Sequence, residues 1–599
     1  MEYTQLYYEL LGQLKKDEMQ RRALESKGNT VVLAGPGSGK TSVLTLKATG
    51  TLEKLCEPYG IACITYGREA SIEMEQRIYS YGVNRQRRLF IGTIHSFCVS
   101  KILAPFGEMF EVRLPYPLKV ATSSQRERAF KKAKEITEGS DSIGEANMNT
   151  ERSNRVGKLS SIRPPSYDVA LKTAIAYEQI IHSQGIIDYE DIINYSVQLM
   201  QERDYVRDSL SARFPWILID EYQDLGKPLH EIVLSLLSFT SINLFIVGDP
   251  DQSIYSFTGA NPGYMYELLQ SGKFDKVVLE NNYRSPQGII DASIHVLGQP
   301  REYYAASDKH GEATFDFVEC DNGWEDQFEF IARSVIPKYD TEGIPREEIA
   351  VVIKHHDQIN ACRGILEGHG IKCYVSKLGF DRTRLINWLE SCAAWSANSS
   401  SVPFVDLFMT WCNNFDTNDT FDPMDPRSII VFRGIIEAAS QKSNLAEWVD
   451  VLIEQLNIPS IVSFDEQENL RRFQTLVRSE EFEEYTIDMF SKIGKPSKQV
   501  VLLTWFAVKG LEFEAVILTG MDEGFMPDYK ATKDPEKLRE QSRMCFVGVS
   551  RAKKHCILLR SKQYTIFSTR YGKYYTHPYR SSRYWDALIE KYGGLKHNT

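Results

Sequence analysis

Residues 34–41, Ala-Gly-Pro-Gly-Ser-Gly-Lys-Thr, have the residue types and spacing of a loop that binds phosphate. They follow the β-branched run 30–33 and precede a helix-favouring stretch. Glycines allow successive backbone N–H groups to converge on one anion at the start of a helix. Lys40 would add positive charge at the β- and γ-phosphates, and the hydroxyl of Thr41 is suited to Mg²⁺. We therefore predict a nucleoside triphosphate site, although Ala34 stands where the usual pattern has glycine. The predicted loop residues are Ala34, Gly35, Pro36, Gly37, Ser38, Gly39, Lys40, Thr41 and Ser42.

Two adjacent carboxylates, Asp220 and Glu221, follow the apolar run 216–219. The carboxyl ends of parallel strands form one edge of a sheet, and ligands bind along that edge. There, Asp220 would hold Mg²⁺ through water, opposite Thr41. Glu221 would orient and deprotonate the water that attacks the γ-phosphate. An acidic pair alone is common on protein surfaces, so the prediction depends on the strand before it and on the phosphate loop.

A third polar segment, 248–255, follows the apolar run 244–247. Its Gln252 would contact both the γ-phosphate and a neighbouring domain. Taken alone, the segment is equally typical of an ordinary polar turn.

The elements that must position these residues follow the pattern of parallel α/β domains, in which β-branched runs alternate with polar turns and helical patterns. A second such region begins near Val277. Helical periodicity replaces the strands between 104 and about 190, and again between about 383 and 497. A chain of 599 residues is too long for a single core. We expect two α/β units, each with a helical insertion.

Composition excludes several classes of protein. Ten cysteines without a C-x-x-C pair argue against a zinc ribbon or a disulfide framework and indicate reduced, mostly buried thiols. The polar N-terminus has no secretory pattern and no apolar run is long enough to span a bilayer, so we expect a cytoplasmic protein without membrane contact.

The net charge of −10 gives no global indication of nucleic-acid binding. Basic residues do form three local clusters, each of which by itself is more typical of a solvated face. The clusters are Arg85, Arg87 and Arg88; Arg152, Arg155, Lys158 and Arg163; and Lys553, Lys554, Arg560 and Lys562.

Taken in order, these motifs resemble those of superfamily-1A DNA helicases of the UvrD/Rep type, over nearly the whole chain. The matching segments are the Q motif around Gln20, motif Ia at 64–71, the Gly-Thr-x-His-Ser-Phe motif at 92–97, the Asp-Phe-x-Asp element at 188–191, motif IV at 279–285, motif V at 504–513, the segment 524–527 and motif VI at 543–552.

The resemblance implies a split ATPase site. Gln20 would read the adenine and Tyr283 would stack on it, while Gly510 and Glu512 of motif V would also line the nucleotide site. Arg284 and Arg551 would act as arginine fingers on the γ-phosphate, because guanidinium groups stabilise the charge that develops there. The residues predicted to act in catalysis are Lys40, Glu221, Gln252, Arg284 and Arg551.

Single-stranded DNA would bind through stacked rings and phosphate contacts. The predicted stacking residues are Tyr66, Tyr189 and Phe257, and the predicted backbone contacts are Thr65, Thr93 and His95. Phe506 is predicted at the DNA side as the motif V residue in place of the family histidine.

The chain departs from the family pattern at several of these positions. Ser42 replaces an arginine near the nucleotide, Glu69 replaces the motif Ia lysine, and Phe257-Thr258 replaces Trp-Arg. The residues predicted to act in ATP hydrolysis match the family pattern, whereas several residues predicted to make polar contacts with nucleic acid differ from it. ATP hydrolysis is therefore a firmer prediction than processive unwinding.

The fold implied by the resemblance is α/β, with two RecA-like P-loop NTPase domains that have parallel sheets. Domain 1A would comprise 1–104 and 191–278, and its helical insertion 1B would comprise 105–190. Domain 2A would comprise 279–382 and 498–599, and a reduced helical insertion 2B would comprise 383–497.

Two functions fit the sequence. The preferred one is an ATP- and Mg²⁺-dependent enzyme that translocates 3′ to 5′ on single-stranded DNA and unwinds tailed duplex. The alternative is a DNA-gated ATPase subunit that signals to a nuclease without unwinding, similar to the short UvrD-like subunit of Gabija-type antiphage systems in its size and divergence.

Overall fold

Residues 3–593 are described in a computed structural model, apart from 84–87, 108–117, 138–142, 156–166, 257–258, 307–310, 376–379, 400–402, 416–419, 443, 462–463, 480–481, 483–484, 495 and 569–572. Two parallel sheets organise this part of the chain, and each sheet is covered by helices on both faces.

The first sheet has six parallel strands. In chain order they are β1 (Thr30–Ala34), β2 (Ile61–Thr65), β3 (Leu89–Thr93), β4 (Trp216–Ile219), β5 (Asn243–Gly248) and β6 (Asp275–Leu279). Their order across the sheet is β3-β2-β4-β5-β1-β6. The carboxyl ends of β4, β5 and β1 are therefore neighbours, and the three polar segments predicted to bind the triphosphate follow these strands.

Alternate residues of these strands enter two separate cores, one on each face. For example, Val31 packs in one core and Val32 in the other. Because both faces are covered, the central strands are mainly apolar, as is typical of parallel sheets. The covering helices are Gln5–Leu14, Glu18–Glu25, Lys40–Lys54, Arg68–Ser80, Ile94–Phe97, the π-helical Cys98–Leu103, Ala104–Phe106, Tyr189–Glu202, Asp204–Arg213, Lys227–Phe239 and Gly263–Gln270. Short 3₁₀ turns span Tyr222–Asp224 and Pro250–Gln252.

A two-stranded parallel ladder of β7 (Asn281–Asn282) and β8 (Tyr304–Ala305) precedes the second sheet in the chain. The second sheet contains β9 (Thr314–Asn322), β10 (Ile349–Ile353), β11 (Cys373–Val375), β12 (Val500–Thr504), β13 (Phe513–Leu518), β14 (Ala552–Ser568) and β15 (Lys573–Pro578). Its order is β11-β12-β10-β13-β14-β15, with β9 parallel to β14 and β15 antiparallel to it. The helices around it are Gln287–Leu297, Gly323–Phe330, the π-helical Ile331–Val335, Ile336–Glu342, His356–Gly368, Pro535–Val549 and Arg583–Tyr592. Short 3₁₀ turns span Arg346–Glu348 and Ala531–Lys533.

Two groups of helices stand apart from the sheets and have cores of their own. The first group is Ser123–Ile136, Glu145–Arg155 and Tyr167–Ser183. The second group is Arg384–Ser396, Phe404–Asn414, Pro426–Ser440, Leu445–Gln455, Ile458–Ile461, Phe464–Leu476 and Ile487–Ser491, with Trp388, Trp411 and Trp448 in its core.

The predicted fold class, parallel α/β with helical insertions, is confirmed. The predicted start of the second region near Val277 is wrong, because this residue lies in β6, which pairs with β1 and completes the first sheet. The ten cysteines are thiols rather than disulfides, and eight of them are buried. Within the described part of the chain, none of the helices has the length and apolar character that crossing a bilayer needs.

Candidate nucleotide and nucleic-acid sites

The phosphate loop joins the end of β1 to the helix that begins at Lys40. Gly37 and Gly39 have φ angles of +66° and +80°, in the left-handed region that favours glycine. A Cβ atom on Gly35 would lie 2.7 Å from the ring of Tyr303, and one on Gly37 would lie 2.6 Å from the side-chain oxygen of Asn282. The glycines are therefore required both by the backbone conformation and by neighbours from the second domain.

Lys40 places its ammonium group inside this loop. Its Nζ is buried and has no hydrogen-bond partner among the described residues, and the nearest carboxylate oxygen, on Glu221, is 3.8 Å away. An unpartnered buried ammonium is costly unless an anion offsets its charge. This orphaned charge fits the β- and γ-phosphates of a nucleoside triphosphate.

Asp220 and Glu221 follow β4 directly. Burial, together with the charge of Glu221, raises the pKa of Asp220 well above its usual range. A cation beside Asp220 would relieve this cost, so the carboxylate fits the predicted Mg²⁺. No group of three or more His, Cys, Asp or Glu side chains in the described ranges is arranged to hold a metal, so the ion would also need phosphate oxygens as ligands.

Glu221 has a left-handed backbone with φ of +49°, which is unusual for a residue other than glycine and is typical of functional sites. The side-chain amide of Gln223 donates to its carboxylate. Burial by itself would raise the pKa of Glu221, but the charges of Lys40 and Lys509 lower it below its ordinary value. The residue is therefore held in its charged, carboxylate form.

The turn after β5 connects the two domains. Within it, the amide of Gln252 donates to Asp249 at 2.6 Å. The amide oxygen of Gln252 accepts a hydrogen bond of 3.0 Å from Nη2 of Arg551, which lies between the helix Pro535–Val549 and β14 of the second domain. Gln252 thus contacts the second domain.

Arg551 and Arg284 both approach the loop from the second domain. Burial and the nearby charge of Arg284 lower the pKa of Arg551, whose side chain also donates to backbone oxygens. Nε of Arg284 donates to Glu512 at 2.6 Å, and Arg284 packs against Gly37. Gly510 has a φ of +85° in the turn before Glu512. Arg551 is close enough to Arg284 and Glu221 for their charges to shift its pKa, so an anion bound there would meet positive charge from the second domain.

Residues predicted to contact the base lie on the other side of the loop. Gln20 is buried, and its amide donates to the backbone oxygen of Ser38 at 2.9 Å. Asp17 caps the helix of Gln20 and accepts hydrogen bonds from Asn281 at 2.7 Å and from the hydroxyl of Tyr283 at 2.8 Å. The half-exposed ring of Tyr283 is therefore oriented by a first-domain carboxylate that sequence reasoning did not single out.

A buried ion pair across the cleft was also missed. Nζ of Lys509 donates to both oxygens of Asp224 at 2.8 and 2.6 Å, and both side chains are almost fully buried. Asn282 forms another such contact, donating to the backbone oxygen of Pro36 at 2.8 Å. These residues lie inside segments already recognised as motifs, but their partners are more than 240 positions away, so local spacing does not identify the pairs.

Three aromatic rings form a ladder across the cleft. The ring of Tyr66, which follows β2, stacks on that of Tyr255 with centroids 6.4 Å apart, and Tyr255 stacks on Phe506 of the second domain at 6.1 Å. The planes differ by only 21° and 25°. Tyr66 and Phe506 were predicted to contact DNA, and the structure adds Tyr255 between them.

The other predicted DNA contacts are less uniform in their placement. His95 and Tyr189 meet edge to face at 5.6 Å, and the guanidinium of Arg126 lies 5.4 Å from the Tyr189 ring. Thr65 is buried and donates to the backbone oxygen of Gly67, so its hydroxyl is already used. Thr93 caps the helix Ile94–Phe97. Phe257 lies outside the described residues.

The basic clusters were predicted to lie on solvent-exposed faces. This prediction is wrong for Arg152 and Arg560. Arg152 is fully buried and donates to Asp188 at 2.6 and 2.8 Å and to Asp191 at 2.8 Å, which anchors the helix Glu145–Arg155 to the start of the helix Tyr189–Glu202. Arg560 is nearly buried and pairs with Asp522. Complementary carboxylates distant in sequence explain both.

Two family models match the chain. The UvrD/REP helicase N-terminal domain matches residues 16–272, and the UvrD-like helicase C-terminal domain matches residues 418–563. Together they cover about two thirds of the chain, and each includes residues of the cleft described above.

Similar curated proteins are DNA helicases. The chain is 25% identical to "ATP-dependent DNA helicase PcrA" of Leuconostoc citreum, with 89% of this chain and 80% of the relative aligned. It is 25% identical to "DNA helicase II" of Haemophilus influenzae, with 91% and 84% aligned. Identity to "ATP-dependent DNA helicase UvrD1" of Mycobacterium bovis is 24%, with 90% and 82% aligned.

Proposed function

Because the chain belongs to the UvrD/REP helicase family, we propose that it is an ATP- and Mg²⁺-dependent DNA helicase that moves 3′ to 5′ along single-stranded DNA. One observation carries the proposal. The cleft between the two α/β domains has converging charges at one end and stacked rings at the other, and both domains contribute to each end.

Hydrolysis would use groups from both domains. Lys40 would bind the β- and γ-phosphates, and Glu221 would orient the attacking water and accept its proton. Arg284 and Arg551 would stabilise the charge that builds on the γ-oxygens. Since both arginines come from the second domain, the reaction would require the domains to close.

Thr41 and Asp220 are the residues that would hold Mg²⁺. When bound, the ion would supply positive charge to the phosphate oxygens. Asp220 is buried beside Glu221, so a cation held there would offset the repulsion between the two carboxylates.

The same segment links the two ends of the cleft. Gln252, which contacts Arg551, and Tyr255, the middle ring of the ladder, are three residues apart. A change in domain spacing when ATP binds or is hydrolysed would alter the spacing of the rings. Bases inserted between the rings would then be gripped and released, which produces stepping along a strand.

Strand displacement tests the proposal. We expect the purified full chain with ATP and Mg²⁺ to unwind a duplex with a 3′ single-stranded tail, and not one with a 5′ tail. Its ATPase should rise when single-stranded DNA is added. Unwinding from the 5′ tail would overturn the polarity.

The DNA-gated ATPase is the alternative outcome of the same experiment. DNA-stimulated hydrolysis with no displacement on either tail would favour a subunit that signals to a nuclease. Absence of ATPase activity with and without DNA would overturn both functions.

A further inference from the structure

The segment 299–306 of the second domain reaches back to the phosphate side of the cleft. Its own domain holds it firmly. The amide of Gln287 contacts the backbone at Tyr303 and Ala305, and the backbone N–H of Tyr304 donates to Glu280 at 2.9 Å. Because of these hydrogen bonds, the side chains of the segment should move together with the second domain.

Arg301 on this segment forms a two-pronged contact with Asp251 of the first domain. Nε donates to one carboxylate oxygen at 2.5 Å and Nη2 donates to the other at 2.8 Å. Nη1 and Nη2 also donate to Pro300 and Gln299 of the same segment, so the guanidinium is fixed in orientation. Paired parallel hydrogen bonds between arginine and carboxylate are among the stronger and more directional polar contacts.

Asp251 lies in the middle of the turn that carries Gln252. The second domain therefore grips this turn on two sides, through Arg301 on Asp251 and through Arg551 on Gln252. Just beyond the turn, Ile254 is buried in the core of the second domain. The turn belongs to the first domain by sequence, and both domains hold it, since Gln223 of the first domain also bonds to Asp249 and Ser253.

Tyr303, two residues after Arg301, packs its ring against Gly35 of the phosphate loop. The same segment thus touches both the loop that would bind the phosphates and the turn that carries Gln252. No other contact described above joins these two first-domain features through one element of the second domain.

We propose that Arg301 is a positioning residue for ATP hydrolysis, which sets Gln252 against the γ-phosphate by fixing Asp251 when the domains close. This inference rests on the proposed ATPase. Arg301 itself need not touch the nucleotide. Its removal should slow the chemical step without weakening ATP binding, because the phosphate loop and Lys40 remain in place.

The test compares Arg301→Gln with a matched control. Arg346 makes a similar two-pronged contact with Asp340, at 3.1 and 2.8 Å, but within the second domain, and its side chain is about as exposed as that of Arg301. We expect R301Q to lower the DNA-stimulated kcat by roughly tenfold, since misplacing a group near the chemistry is costly, while the KM for ATP changes less than about twofold. R346Q should keep the native kcat.

Three further variants separate positioning from a purely structural role. Arg301→Lys, which cannot form the two-pronged contact, should recover only part of the rate. Asp251→Asn should match R301Q, and the double variant should be no worse than either single one, because both changes break the same contact. The melting temperature of each variant should be measured as well. We expect the loss of kcat to appear at temperatures well below these values, where every variant is folded.

A native kcat for folded R301Q, or an equal loss in R346Q, would overturn the inference. An independent loss when the Asp251 and Arg301 changes are combined would also overturn it. In each of these cases the proposed function would still stand if the unmodified chain shows DNA-stimulated ATPase activity and Glu221→Gln loses that activity. The two failures are therefore distinguishable.

Discussion

The two ends of the interdomain cleft are built from the same sheet edge but use different chemistry. Loops after β1, β4 and β5 carry Lys40, Glu221 and Gln252, and the second domain adds two guanidinium groups. The loop after the neighbouring β2 carries Tyr66, whose ring stacks on Tyr255, and Tyr255 stacks in turn on Phe506. One end is made of charges at fixed positions, and the other is made of rings.

Under the proposed function, the chemical difference between the two ends follows from their ligands, which are a nucleoside triphosphate at the charged end and single-stranded DNA at the aromatic end. Phosphoryl transfer develops charge at defined oxygen atoms, so the groups that stabilise it must be charged and accurately placed. A helicase must hold any base sequence, and every base offers a π-face to a ring. The departure from the family pattern at Phe506 falls at the aromatic end, where a ring takes the place of a polar side chain.

The largest effect should come from the charged end. Glu221→Gln removes the proton acceptor with almost no change in volume and should lower kcat by about 100- to 10,000-fold, with ATP still bound. Turnover of γ-labelled ATP and binding of a fluorescent ATP analogue measure the two quantities. Hydrolysis at the native rate would show that Glu221 is not the base.

The buried ion pair tests whether the two ends depend on each other. Asp224→Asn leaves Lys509 buried without its charge partner, which costs about 3–5 kcal/mol in comparable pairs and should oppose domain closure. We expect DNA-stimulated ATPase to fall by more than roughly tenfold, with partial recovery in Asp224→Asn/Lys509→Met. If the double variant is worse than the single one, the pair does not act as a unit.

At the aromatic end, Tyr255→Ala should weaken single-stranded DNA binding by about 1–3 kcal/mol, or roughly 5- to 150-fold. The KM for ATP in the absence of DNA should not change, because the ring does not contact the phosphate loop. Fluorescence anisotropy with a labelled oligothymidylate measures the affinity. Tyr255→Phe is the control, since it keeps the ring and loses the hydroxyl, which donates a 3.3 Å hydrogen bond to the backbone oxygen of Phe506. If Tyr255→Ala binds single-stranded DNA as tightly as the native chain does, Tyr255 is not part of the DNA site.

The smallest effect should follow Phe506→His, which keeps an aromatic ring and restores a polar group. A partly exposed hydrogen bond to DNA contributes about 0.5 kcal/mol, so binding should tighten by roughly twofold and depend more steeply on salt. Phe506→Leu, which has neither feature, should bind more weakly than the native chain. A histidine variant as weak as the leucine variant would show that the shape of the phenyl ring matters more than polarity.

The fold was largely predictable from the sequence, and so were the segments that form the charged end of the cleft. The phosphate loop, the Asp220-Glu221 pair and the β-branched runs are local patterns, and each has a direct physical reason to adopt its structure. Prediction was weaker for Arg152, which was assigned to a solvated face and is fully buried. Its partners Asp188 and Asp191 lie more than 30 positions away, and only the packing of the insertion on the first domain brings them together.

By itself, the sequence determined which residue types follow each strand, and hence the parallel sheets, the phosphate cradle and the acidic pair. These depend on periodicity, glycine conformation and adjacency, which act over a few residues. The tertiary structure decided which groups meet across the cleft: Asp224 with Lys509, Gln252 with Arg551, Asp251 with Arg301 and Tyr255 with its two neighbouring rings. Those pairings depend on strand order and on how the two separate cores pack against each other. A buried charge is costly without a partner, but this cost does not determine where in the chain the partner lies.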